Sequence, residues 1–307
     1  MHEFEFIAWL RELLNRPADR DRVPTGIGDD MAVINFRGGK LLLGSDLVIE
    51  NRHFTFPEAS PEEVGHKALG RCLSDCAAMA GEPMAAIVSL AKPKNCSDEV
   101  LKGVFVGMNR LAERFGCPIV GGDTSSSAEG LIIDVCLLGK CEKNEPVLRS
   151  GAKFGDFIYV TGPLGGSILG KHLNFTPRID EALWLVDHLH LSAMIDISDG
   201  ISSDLAHLCE ESHCGAELFS HYLDIIVSDE AHRLAEKIGG SPLEHALNDG
   251  EDFELLFTSP VSPSELPELP TSIQLFPIGR IIDRRDVSII YPDGRQTALR
   301  PTGFRHF

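Results

Sequence analysis

Basic residues are scarce in this sequence: 28 Lys and Arg stand against 46 Asp and Glu, a formal net charge of -18 over 307 residues. A field of that sign repels nucleic acid and anionic membranes, which sets both aside as partners. A phosphate-bearing substrate is repelled too, unless a divalent cation reverses the local sign. None of the eight cysteines forms a C-x-x-C pair. Reduced, mostly buried thiols in a cytoplasmic protein are therefore expected, in place of a disulfide framework or a zinc site. No apolar run reaches the length of a membrane span. The opening Met1–Phe6 has no basic region followed by an apolar core, so no signal peptide is expected. With 43% hydrophobic residues, the chain has the material for two packed domains.

Acids placed after small residues, beside apolar segments, are the recurring theme. The first instance is Gly26-Ile27-Gly28-Asp29-Asp30, where two glycines permit close backbone approach and two carboxylates repel each other unless a cation sits nearby. Leu43-Gly44-Ser45-Asp46, Leu73-Ser74-Asp75, Gly121-Gly122-Asp123, Asp196-Ile197-Ser198-Asp199-Gly200 and Asp249-Gly250-Glu251-Asp252 repeat it. Several dispersed carboxylates suit two or more Mg2+ ions that bridge phosphates.

Hydrophobic periodicity places a first helix through Trp9, Leu10 and Leu13, then a hairpin of strands 32–36 and 40–44 with Ser45-Asp46 at a strand end. Ser60-Pro61-Glu62-Glu63 spells a capped helix start, and the helix carries Asp75 among small residues. A strand is expected at 87–90 and a helix from Ser97 to Gly116. A short buried strand, 117–120, then delivers Gly121-Gly122-Asp123, and another strand follows at 131–139. The glycine-rich segment 149–156 reads as a domain boundary, giving units 1–148 and 149–307. Beyond it the pattern gives strands at 157–161, 216–219, 251–258, 273–282 and 287–291. Helices are expected at 164–173, 180–190, 203–213 and 228–238. Helices mixed with antiparallel strands make the class α+β. Gly165–Lys171 spells G-x-x-x-x-G-K, but His172 stands where a nucleotide loop needs a hydroxyl for Mg2+, so the segment is read as a glycine-rich start to a helix.

Taken in order, the acid motifs resemble the thiamine-monophosphate kinases, together with Lys67-Ala68-Leu69, Arg149-Ser150-Gly151-Ala152, Tyr159-Val160-Thr161-Gly162 and the terminal Gly303–Phe307. That family shares its superfamily with aminoimidazole ribonucleotide synthetase and selenophosphate synthetase. The resemblance implies the two-domain fold of aminoimidazole ribonucleotide synthetase, a homodimer, and ATP-dependent phosphorylation of thiamine monophosphate. By the same resemblance Asp30, Ser45, Asp46, Asp75, Asp123, Asp196 and Asp199 would hold Mg2+. Gly122, Asp123, Arg149 and Ser198 would meet ATP, and His53, Glu251 and the position of Pro301 would meet the thiamine phosphate. Two departures stand out: Ser125–Ser127 follow Gly-Gly-Asp-Thr where the family usually has an arginine, and Pro301 replaces an aromatic. Phosphoryl transfer between two anions needs charge neutralisation and alignment more than a nucleophile, so direct transfer is expected. A same-fold enzyme acting on another phosphate ester, and a non-catalytic nucleotide or cation binder, remain the alternatives.

Overall fold

The computed structural model describes residues 3–14, 21–142 and 144–303. Helix α1 (Glu3–Leu14) precedes a hairpin of β1 (Ala32–Phe36) and β2 (Gly39–Ile49). Helix α2 (Pro61–Ala78) begins as its sequence dictates: Ser60 accepts from the Glu63 N–H while the Glu63 side chain returns to Ser60, a complete capping box. There follow β3 (Glu82–Lys92), α3 (Asp98–Arg114, capped by Ser97), β4 (Ile119–Ser126) and β5 (Ile132–Cys141). These strands form a sheet in the order β1-β2-β5-β3-β4, antiparallel except for the β3–β4 pair, which α3 joins. Helices α2 and α3 cover one face. They approach closely because Gly65 and Gly107 lack side chains: a Cβ at either would lie 1.9 Å from a carbonyl oxygen of the other helix.

The second half supplies β6 (Phe157–Val160), α4 (Lys171–Asn174), α5 (Ile179–His188), β7 (Ala193–Asp196), α6 (Ile201–Ser212) and β8 (Gly215–Phe219). It continues with α7 (Ser220–Ile226), α8 (Asp229–Ile238), α9 (Pro242–Asn248), β9 (Leu255–Ser259), β10 (Phe276–Ile282), β11 (Val287–Ile290) and β12 (Gln296–Ala298). Its seven strands run in the order β12-β11-β8-β10-β6-β9-β7, with only β8 and β11 parallel. The fold is α+β, as expected. The two halves share a core, in which Leu69 and Leu73 of α2 cluster with Tyr159, Leu185 and Phe257. An ion pair at 2.5 Å also ties Arg11 of α1 to Glu211 of α6. All eight cysteines are free thiols, six of them buried. Among the described residues no helix is long and apolar enough to cross a membrane.

Several expectations need correction. Ser45 and Asp46 lie inside β2, which runs on to Ile49, not at a strand end. The Gly-Gly-Asp motif is not delivered by a short buried strand; it is part of β4, an exposed edge strand. The helix expected over 164–173 is reduced to a 3-10 turn at Ser167–Leu169 and the single turn α4, because Gly165, Gly166 and Gly170 all take positive φ. The strand expected from Glu251 begins only at Leu255, since Glu251 and Phe253 hold φ of 53° and 51°. Helices α7 and α9 are additions, although the capping box of Ser241 and Glu244 was there to be read.

Candidate active site

Helix α2 sets the spacing of the site. Lys67, Arg71 and Asp75 are four residues apart, so they climb one stripe of the helix a turn at a time. Lys67 meets Glu251 at 2.7 Å and Arg71 meets Asp46 of β2 at 3.2 Å. Asp75 converges with Asp30, from the loop before β1, and Asp196, at the end of β7: one carboxylate oxygen of each lies within 4.8 Å of the others. Arg149 grips Asp30 at two points, Nη2 to Oδ1 at 2.7 Å and Nε to Oδ2 at 3.2 Å. Ser74 donates to Asp196 at 2.7 Å.

So many acids in a dry place are under strain. Burial, then repulsion from Asp46, Asp196 and Asp30, pushes the Asp75 carboxyl well above its ordinary range. Burial, then Asp30, raises both Asp196 and Asp29 to about 7. Arg71 and Arg149 are too few to neutralise five carboxylates. The donor set is wholly oxygen, which fits a hard divalent cation such as Mg2+.

Beside the acids lies a cavity of about 320 Å³. Its polar wall carries Arg52, His53, Arg71, Ser198, Asp199 and Glu251, and Ile168, Leu234 and Phe253 form an apolar side. Two acidic loops build it together. Phe253 N–H donates to the Ile197 carbonyl at 2.8 Å and Glu251 N–H to the Ser198 carbonyl at 2.7 Å, so 196–200 and 251–254 are zipped backbone to backbone. His53 is buried, and its Nδ1 accepts the Ile49 N–H at 3.0 Å.

The structure brings Asp30, Asp46, Asp75, Asp196 and Arg149 together, and sets Ser198, Asp199, His53 and Glu251 around the adjoining cavity. It does not bring in Ser45, Asp123 or Pro301. Side chains alternate along β2, so with Asp46 facing α2 the Ser45 side chain lies on the opposite, exposed face. Asp123 is exposed on β4, where its carboxylate accepts the Thr124 N–H at 2.8 Å. Gly122 beside it has φ of 155°, and a Cβ there would lie 1.9 Å from the Val88 carbonyl oxygen, so strand packing alone requires the glycine. Pro301 lines a different cavity, with Cys209, His213 and Arg285. Phe304–Phe307 lie outside the described residues, but Gly303 docks on the first turn of α6, its N–H donating to the Ser203 hydroxyl at 3.2 Å.

The G-x-x-x-x-G-K segment is no phosphate cradle. Gly165 and Gly166 N–H groups donate to Asp252 and Asp249, at 2.9 and 3.0 Å, and Lys171 is engaged by Glu254 at 2.9 Å. Sequence reasoning missed Lys67, Arg71, Ser74 and Phe253 as parts of the site. The i, i+4, i+8 spacing of Lys67, Arg71 and Asp75 was the available signal.

Comparison with known proteins places this geometry. A thiamine-monophosphate kinase of Rhodopirellula baltica is 37% identical over 99% of this chain and 97% of its own. The chain belongs to the thiamine-monophosphate kinase family. The Bacillus subtilis member is 31% identical over 100% of both chains. A solved structure of AaThiL complexed with AMPPCP and TMP superposes with a TM-score of 0.86 at 32% identity, covering 100% of this chain and 97% of that one. The family described as AIR synthase related protein, N-terminal domain, matches residues 28–141, which hold four of the five clustered acids and α2. Membership in the kinase family thus rests on the full length, not on the acid motifs alone.

Proposed function

We propose that the chain transfers the γ-phosphoryl group of ATP directly to thiamine monophosphate, yielding thiamine diphosphate and ADP. The observation that carries this reading is the convergence of Asp30, Asp75 and Asp196 beside a cavity with both cationic and apolar walls, in a chain that matches the kinase family end to end. Asp30, Asp75 and Asp196, with Asp46 next to them, would hold Mg2+. When bound, the ions neutralise phosphate charge and align the donor and acceptor oxygens. Arg71, steadied by Asp46, is placed to hold the acceptor phosphate at the inner end of the cavity. Glu251 and Asp199 complement the positive charge of the thiazolium ring, and Phe253 and Leu234 cover its apolar edges. Arg149, locked on Asp30, keeps that carboxylate in one orientation. The acceptor phosphate is ionised at neutral pH, so the reaction needs no strong general base.

The units 1–148 and 149–307 serve as an N-terminal metal and nucleotide domain and a C-terminal α+β domain. We further read the protein as a cytoplasmic homodimer. The uncovered face of the first sheet, with Leu43, Leu47 and Ile87 all exposed, supports the pairing. ADP release measured with and without thiamine monophosphate tests the central reading. Release that requires both thiamine monophosphate and Mg2+ is the expected result. Equal release without the acceptor, or faster release with another phosphate ester, would overturn the substrate.

A further inference from the structure

Lys67 is the only lysine among the described residues whose side chain is completely shielded from water, and it does not line the cavity beside the acids. Its ammonium makes two bonds of 2.7 Å: one to the carbonyl oxygen of His53, the other to Oε1 of Glu251. The first partner belongs to the turn after β2, where Asn51 holds φ of 65° and donates its N–H to the Phe54 carbonyl at 2.8 Å. That turn supplies Arg52 and His53 to the cavity wall. The second partner belongs to the other half of the chain and also lines the cavity. Glu251 sits in left-handed backbone, φ 53°, which a non-glycine residue keeps only when its surroundings over-determine it. The Ser198 carbonyl fixes its N–H. Lys67 fixes its carboxylate.

A single buried cation therefore joins the two walls of the cavity across the two halves of the protein. Burying an ammonium is costly, and burial does lower the affinity of Lys67 for its proton while Glu251 opposes the shift. A structural contact between the halves needs no charge, as the apolar packing of α2 on Tyr159 and Phe257 demonstrates. What an ammonium adds is direction: it orients one carbonyl and one carboxylate at once.

We infer that Lys67 is a positioning residue for the acceptor substrate, holding Glu251 and the Arg52–His53 turn at the separation that the bound molecule requires. This rests on the kinase reading above. Lys67 touches no substrate; it acts through Glu251 and through the 51–54 turn. Because its partners line only the acceptor cavity, its loss falls on acceptor binding and leaves the acid cluster in place.

The test is steady-state kinetics on the full chain, with ATP and thiamine monophosphate varied separately, for wild type, Lys67→Met, Glu251→Gln and the double variant. Lys67→Met is expected to raise KM for thiamine monophosphate about tenfold or more, with kcat within about threefold and KM for ATP within about twofold. The double variant is expected to bind no worse than the weaker-binding of the two single variants, since the two residues act as one unit. A folded Lys67→Met enzyme with unchanged acceptor KM overturns the inference. So does a loss shared equally between ATP and acceptor, or effects that multiply in the double variant. If Lys67→Met does not fold, Lys67→Gln carries the test: it keeps a donor for the His53 carbonyl but drops the charge facing Glu251. A rise of about fivefold or more in acceptor KM is then expected, and an unchanged value overturns the inference. The wild-type rate alone tests the identity of the acceptor, and the variant-to-wild-type ratio alone tests Lys67. The ratio is read on whichever phosphate ester the wild type turns over, so the two readings fail separately.

Discussion

Asp75 concentrates the electrostatics of the site. It faces Asp46, Asp196 and Asp30 from inside a helix of small residues, and burial and repulsion both disfavour its charge. Asp75→Asn keeps the shape and removes the charge. It is expected to lower kcat/KM by about 100-fold or more, while the Tm in metal-free buffer stays level or rises. A variant with near-normal turnover would remove Asp75 from the metal set. Asp252 supports a separate prediction, because burial raises its pKa from 3.8 to about 7 although Lys171 and the Gly165 N–H partly oppose this. The folded state holds this proton more tightly than the unfolded chain. Stability from that proton is complete below pH 4 and is lost as pH climbs from about 4 to 7, on the order of 2–4 kcal/mol. Asp252→Asn should therefore flatten the fall in Tm between pH 5 and 8, and thermal scans of both proteins across that range decide it.

Strand β4 and helix α2 each set limits on the single residues they carry. Gly121 and Gly122 are neighbours in one strand with opposite tolerances. A Cβ on Gly121 would lie 3.8 Å from Ile87, an ordinary contact, whereas on Gly122 it would strike the Val88 carbonyl oxygen at 1.9 Å. Gly121→Ala is expected to leave Tm within about 2 °C. Gly122→Ala should cost roughly 2–3 kcal/mol, a drop of roughly 5–10 °C. Equal melting temperatures would contradict the packing of β4 on β3. Helix α2 works as a ruler because its 3.6-residue period returns every fourth side chain to one face. Three consecutive turns thus address Glu251, Asp46 and the acid cluster without any loop having to reach them.

For the whole molecule, the question is what covers the outer face of the first sheet. Its inner face is buried under α2 and α3. Its outer face leaves Leu43 39%, Leu47 43% and Ile87 45% exposed. Leu43 pairs with Leu138, and Ile87 with Cys136, so the apolar residues lie side by side across strands. If two copies pair through this face, Ile87→Glu should convert the protein from two chains to one, read by sedimentation, with Tm lowered in proportion to the interface lost. A wild type that sediments as a single chain at micromolar concentration would dispose of the dimer.

Local signals decided much of this protein from sequence alone. A capping box marked α2, and periodicity marked α3 and α8, because a helix is written in a few turns of adjacent residues. The succession of acids pointed to divalent cations and phosphate, because carboxylates cannot otherwise be gathered in apolar surroundings. The full-length similarity agrees with the phosphate part of that reading. Tertiary structure alone decided which acids meet. Asp46 and Ser45 are adjacent in sequence, yet strand alternation sends them to opposite faces. Asp75 and Asp196 are 121 positions apart, yet the packing of α2 on β7 makes them neighbours. The spacing of Lys67 to Arg71 and Asp75 was legible, but its role was not, for the same reason. A buried ammonium takes its meaning from its partners, and both of these, one in the 51–54 turn and one beyond β8, come to it only through long-range packing.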